Sequence, residues 1–79
     1  MEKVIYIQLL GEGTKVYRPV PARQIENSIY QLGGYKIYDP EDEIWEFLPG
    51  AFVLVNEQIL DSEIVLVAIK LIPAVRSLL

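Results

Sequence analysis

Residues 28–39 read SIYQLGGYKIYD, two β-rich runs on either side of Gly33-Gly34. A two-residue type I′ turn needs positive φ at both central positions, which a glycine pair supplies at no steric cost. In that register Leu32 faces Tyr35, Gln31 faces Lys36 and Tyr30 faces Ile37. Tyr30, Leu32, Tyr35 and Ile37 then share an apolar face, and the spacing predicts a hairpin. Helical spacing of Ile25, Ile29 and Leu32, with proline before and glycine after, offers a helix over 22–32 instead. The hairpin is preferred because its turn accounts for residues on both sides.

Outward from that hairpin the chain reads as short strands. KVIYIQLL ends at GEG, and TKVYRPV forms the next run. Pro19 and Pro21 cannot donate ladder hydrogen bonds, so that strand is expected to end there or lie at an edge. IWEFL, AFVLVNEQ and SEIVLVAIKLI give three more strands, broken at Pro49-Gly50 and at 60–62. The tail PAVRSLL starts on proline and can form one or two helical turns. The expected fold is all-β: a small five- to six-stranded antiparallel SH3-like barrel, one domain spanning 1–79, with a short C-terminal helix.

Composition narrows the chemistry. Seventy-nine residues bury only about 60% of the unfolded surface, so stability is marginal without support. Cysteine and histidine are both absent. Disulfides, thiolate metal sites, the commonest general base and the best nucleophile are therefore excluded. Ser28, Ser62, Ser77 and Thr14 have no local activating partner, and no phosphate-binding glycine fingerprint occurs. No cofactor is expected, and a non-enzymatic role leads.

No cleavage pattern follows the first apolar run, and the longest unbroken one, 64–69, is far short of the ~20 residues of a membrane span. A cytoplasmic protein is expected. Residues 1–38 hold five basic and three acidic residues, net +2, while 39–79 hold eight acidic and two basic, net −6. Generic nucleic-acid binding is disfavoured by that balance. A nucleic-acid-binding barrel using Lys15, Arg18 and Arg23 remains the alternative.

GTKVYRPVPA followed by IWEFLPGAFV resembles a small bacterial family of uncharacterised proteins. Its motifs are G-T-x-V-aromatic-R-P-V-x-A and W-E-F-x-P-G-x-x-V, followed by a strand similar to VLVA. The matching positions run from Gly13 and Thr14 through Arg18 and Pro19 to Ala22, then Trp45, Glu46, Phe47, Pro49, Gly50 and Val53, then 65–68. The resemblance implies a free-standing small β protein and brings no assigned site. Apolar Leu54, where a polar residue is more usual, and the apolar tail depart from it.

Candidate binding residues cluster around the acidic loop 39–46: Tyr17, Arg18, Tyr38, Asp39, Glu41, Asp42 and Trp45. Aromatic rings beside carboxylates are what SH3-like domains present to proline-rich, arginine-bearing peptides. A hard cation at DPEDE is disfavoured, since Pro40 and the missing loop glycine break the calcium-loop pattern. Alternation of Trp45 and Phe47 about Glu46 points both rings into the core, with a solvated acidic loop above them. Tyr17 is expected to pack inside while Arg18 spreads over the acidic loop as an ion pair.

The apolar content of 52% exceeds the usual ~45–50%, and the surplus needs a surface to cover. Strict alternation puts Val65, Val67, Ile69 and Leu71 on one face of the last strand, with Ile64, Leu66 and Ala68 opposite. Phe52, Leu54, Ile64 and Leu66 would then form an exposed patch, covered by Val75 and Leu78 of the tail or by a second copy. A homodimer is the expected partner arrangement, together with a protein partner.

Overall fold

The computed structural model describes residues 2–73. Six strands follow in chain order: β1 (Glu2–Leu10), β2 (Val16–Glu26), β3 (Ile29–Leu32), β4 (Ile44–Trp45), β5 (Phe52–Leu60) and β6 (Glu63–Leu71). No helix occurs among the described residues. The strands form one sheet in the order β2-β3-β5-β6-β1-β4, and an added β2–β1 pairing closes five of them into a ring. The chain is a small all-β barrel.

The ring is an up-and-down meander of an odd number of strands. First and last strands of such a meander must run the same way. The closing pair β1–β6 is accordingly parallel, at Ile5↔Leu66 and Tyr6↔Val67, while every other pairing is antiparallel. Past that short seam, β4 takes over the same edge of β1 at Leu9↔Trp45 and Leu10↔Ile44.

Side-chain alternation fills the barrel. Ile5, Ile7 and Leu9 of β1 meet Val20 and Ala22 of β2, Tyr30 and Leu32 of β3, and Val53 and Val55 of β5. Trp45 enters the same core, 2% exposed, and Phe47 and Tyr38 pack against it. The expectation that Trp45 and Phe47 face inward therefore holds.

Three sequence expectations are corrected. The GG hairpin does not form, although residues 22–26 and 29–32 are strand, joined by a turn, rather than helix. β3 pairs with β2 (Gln24↔Tyr30, Arg23↔Gln31) on one side and with β5 (Tyr30↔Val53) on the other. Residues 35–37 are a turn in which Gly34 O accepts hydrogen bonds from the amides of Ile37 and Tyr38. Gly34 has φ +90, and a Cβ there would stand 2.9 Å from Trp45 Cη2 and 3.1 Å from Val20 Cγ1. The glycine serves close approach of the indole, a tertiary demand, rather than a two-residue turn. The type I′ signature falls at Asp61-Ser62 instead, with φ 50 and 69 between the paired residues Leu60 and Glu63.

Secondly, β2 does not stop at its prolines. Val4 opposes Pro21 and Tyr6 opposes Pro19, and β2 continues to Glu26. Pro21 O accepts from Gly33 N, so the amide side of Pro21 points away from β1. Pro19, two residues earlier, has the same orientation. Both missing N–H groups face away from the β1 ladder, which loses nothing.

Thirdly, β6 turns a different face inward. The register steps from Leu54↔Lys70 to Val55↔Ala68, leaving Ile69 as the extra residue of a bulge. Ala68 then joins the core and Leu66 packs against it, while Val67 is buried outside that cluster, its backbone paired with Tyr6. Of the patch drawn through Phe52, Leu54, Ile64 and Leu66, Ile64 is exposed as expected, whereas Phe52 and Leu54 are half-buried and Leu66 packs against the core. Val75 and Leu78 lie outside the described residues.

Candidate functional site

Two surfaces stand out, the mouth of the barrel beneath the acidic loop and the far end of the β5–β6 hairpin.

At the mouth, Arg18 shares the β2 face of Val20 and Ala22 and opposes Ile7, so its stem covers the core edge. Its guanidinium binds Glu43 through two parallel hydrogen bonds, Nε to Oε1 and Nη2 to Oε2, the latter 2.9 Å. Glu43 Oε1 also accepts the indole Nε1–H of Trp45 at 3.2 Å. One carboxylate therefore satisfies a buried donor and an arginine together. Tyr38 meets the indole edge-on, with centroids 4.8 Å apart and rings at 62°. Hydrogen bonding to Arg18 holds the Glu43 carboxyl below the usual carboxylate range; partial burial opposes this, and the Trp45 contact reinforces it. The same pairing raises Arg18 above its ordinary value.

The loop itself is locally built. Asp39 Oδ1 accepts the Glu41 amide at 2.9 Å, and Asp39 O accepts those of Asp42 and Glu43. Asp39, Glu41 and Asp42 are exposed, and among the described residues no group of three or more acidic side chains is placed to hold a metal ion. Of the candidate binding residues, the fold brings Arg18, Tyr38 and Trp45 together with Glu43, which only the ion-pair expectation touched. Arg18 does spread over the acidic loop as foreseen. Tyr17 does not pack inside. It opposes Gln8 on the outward side of β1–β2 and is half-buried. With Trp45 interior and Arg18 already paired, the mouth has few free groups with which to grip a peptide.

The basic trio also separates. Lys15 precedes the start of β2 beside Val16, which opposes Leu9, whereas Arg23 opposes Glu2 at the other end of the β1 ladder. Seven residues of strand between Val16 and Arg23 span roughly 23 Å. Arg18, between them, is neutralised by Glu43.

Of the second surface, sequence patterning supplied the turn at 60–62 and the exposed Ile64, but not the projection of the hairpin beyond its neighbours. β5 pairs with β3 only over Phe52–Leu54, and β6 pairs with β1 only at Leu66 and Val67. Residues 56–65 therefore leave the barrel as a two-stranded arm whose strands pair, among the described residues, only with each other. Ile59 and Ile64 are cross-strand partners on this arm and are 73% and 69% exposed. Glu57 lies two residues from Ile59 on the same face, and Asp61 sits at the tip.

A shallow groove lies on the outer side of β2. Pro21, Gly34, Tyr35 and Ile37 line a nearly wholly apolar hollow of about 340 Å³ bordered by Lys36. It adjoins a second hollow of about 320 Å³ that shares Pro21, Gly34 and Tyr35 and reaches Arg23. Tyr35 is 73% exposed, and its hydroxyl lies over Gly50.

No helix among the described residues is long and apolar enough to cross a membrane. Comparison of the chain with family models, with curated proteins and with solved structures finds no match.

Proposed function

We propose that this protein is a non-catalytic interaction or assembly module that works by docking a protein partner in the cytoplasm. The observation that carries this reading is the β5–β6 arm. An isolated two-stranded hairpin is marginally stable in water. This one nevertheless presents two large isoleucines to solvent at its most exposed point. An exposed apolar pair on a projecting element gains most when another surface covers it. The nucleic-acid reading with Lys15, Arg18 and Arg23 receives no support from the geometry, because those residues stand apart and Arg18 is paired.

The test is affinity capture with tagged wild type and with an Ile59→Asn, Ile64→Asn double variant, each checked for folding by Trp45 fluorescence. Wild type is expected to retain a defined protein partner, which can be another copy of the chain, and the double variant to lose it. Equal retention by both would refute a docking role for the arm. Salt-sensitive binding of an oligonucleotide by wild type would favour the nucleic-acid reading instead.

A further inference from the structure

The arm and the groove match each other. On the arm, Glu57 and Asp61 bracket the Ile59–Ile64 pair, and no basic residue lies between 56 and 65. Around the groove, Arg23 and Lys36 bracket an apolar floor of Pro21, Tyr35 and Ile37. Among the described residues, Glu2 is the one carboxylate lining the two hollows. With Glu63 on the opposite side of the arm, the Ile59–Ile64 face is an apolar strip flanked by two negative charges, and the groove is an apolar strip flanked by two positive ones.

Their placement allows reciprocal use. β1 and β6 run parallel with Ile5 beside Leu66, so Ile64 projects at the level of the start of β1. Arg23 opposes Glu2 at that same start. Arm and groove thus belong to one end of the barrel. A two-fold axis at that end can seat each arm in the other copy's groove, as an isologous interface requires.

Resting on the docking role assigned to the arm, we infer that its occupant is a second copy of this chain, with the Ile59–Ile64 face of each protomer lying across Pro21 and Tyr35 of its partner. Glu57 and Asp61 meet Arg23 and Lys36 at the rim, where opposite charges set register and exclude wrong partners. The contact is weakened by salt, since rim charges are screened.

Sedimentation equilibrium of the full chain tests this, with two charge-reversed variants, Glu57→Lys/Asp61→Lys and Arg23→Glu/Lys36→Glu. Wild type is expected to dimerise, more weakly at high salt. Each variant alone opposes like charges in both seats, and its self-association should weaken at least about tenfold. An equimolar mixture restores opposite charges in both seats and should dimerise again, which a merely destabilised variant would not do. Trp45 emission reports that each variant is folded.

A wild type that stays monomeric at every concentration, or variants that dimerise as well as wild type, would overturn the inference. If that monomer still captures a different protein in an arm-dependent way, the docking role stands and only the choice of occupant fails. If it captures nothing, both fail.

Discussion

Replacing Glu43 with alanine withdraws one acceptor from two donors. The indole N–H of Trp45 lies in a side chain only 2% exposed, so it is left buried without a partner. Such an orphan costs about 1–3 kcal/mol. The Arg18 pair adds little, because its side chains are 37% and 22% exposed and solvent screens them; a pair of this kind contributes about 0–1 kcal/mol. A cost near 2 kcal/mol is therefore expected, against a total stability of roughly 4–12 kcal/mol for a chain of this length. In a domain this small that lowers the melting temperature by about 8–16 °C.

Glu43→Gln separates the two contributions, since its amide oxygen still accepts the indole while the charge is gone. It should lose no more than about 1 kcal/mol. The assay is urea unfolding followed by Trp45 fluorescence, with circular dichroism as a second probe. Acidity provides an independent arm. The folded Glu43 carboxyl sits below its ordinary value because of the Arg18 hydrogen bonds. Its stabilisation is thus present above the unfolded carboxylate pKa, about 4.3, and is lost as pH falls through the lower folded value. Wild type and Glu43→Gln should converge in stability over that acidic window. Alanine and glutamine variants equal in stability at neutral pH would refute the shared-acceptor reasoning.

Two further substitutions test the backbone. Gly34→Ala combines positive φ with a Cβ 2.9 Å from the Trp45 ring, so it should cost about 3 kcal/mol or more and redden Trp45 emission if the protein folds at all. Ser62→Gly removes a left-handed serine from the arm's turn and should stabilise the protein by about 1 kcal/mol, read from the urea midpoint at unchanged slope.

Where alternation alone decides, the sequence was readable. The run of β1, the inward placement of Val53 and Val55, and the burial of Trp45 all follow from period-two patterning with one core. The misreadings have tertiary or register causes. Gly34 is glycine because an indole eleven residues later presses on its Cα, a demand that no window around Gly33-Gly34 contains. A bulge at Ile69 reverses half of β6, and one inserted residue leaves no mark in an all-apolar run such as IVLVAI. At the mouth, Arg18 over the acidic loop was legible as charge complementarity. The choice of Glu43 over its four acidic neighbours was not, since it depends on where Trp45 lies. The turn at 60–62 and the exposure of Ile64 were legible, but the projection of this hairpin was not, since it depends on how far β3 and β1 run beside β5 and β6.

The parallel seam between β1 and β6 bears on the order in which the protein folds. β1–β2, β2–β3 and β5–β6 each join neighbours along the chain, so their hairpins form from local contacts. Ile5 and Leu66 meet across about sixty residues, and only two residue pairs reward that closure. The seam is consequently the last ladder to form and the first to part, since non-local contacts repay their loop entropy late. Without the seam, the β6 edge and the β1 edge before Leu9 would be unpaired, and such edges are templates for pairing with another chain. Joining first and last strands carries this loop entropy in any closed meander; the odd strand count decides only that the seam is parallel.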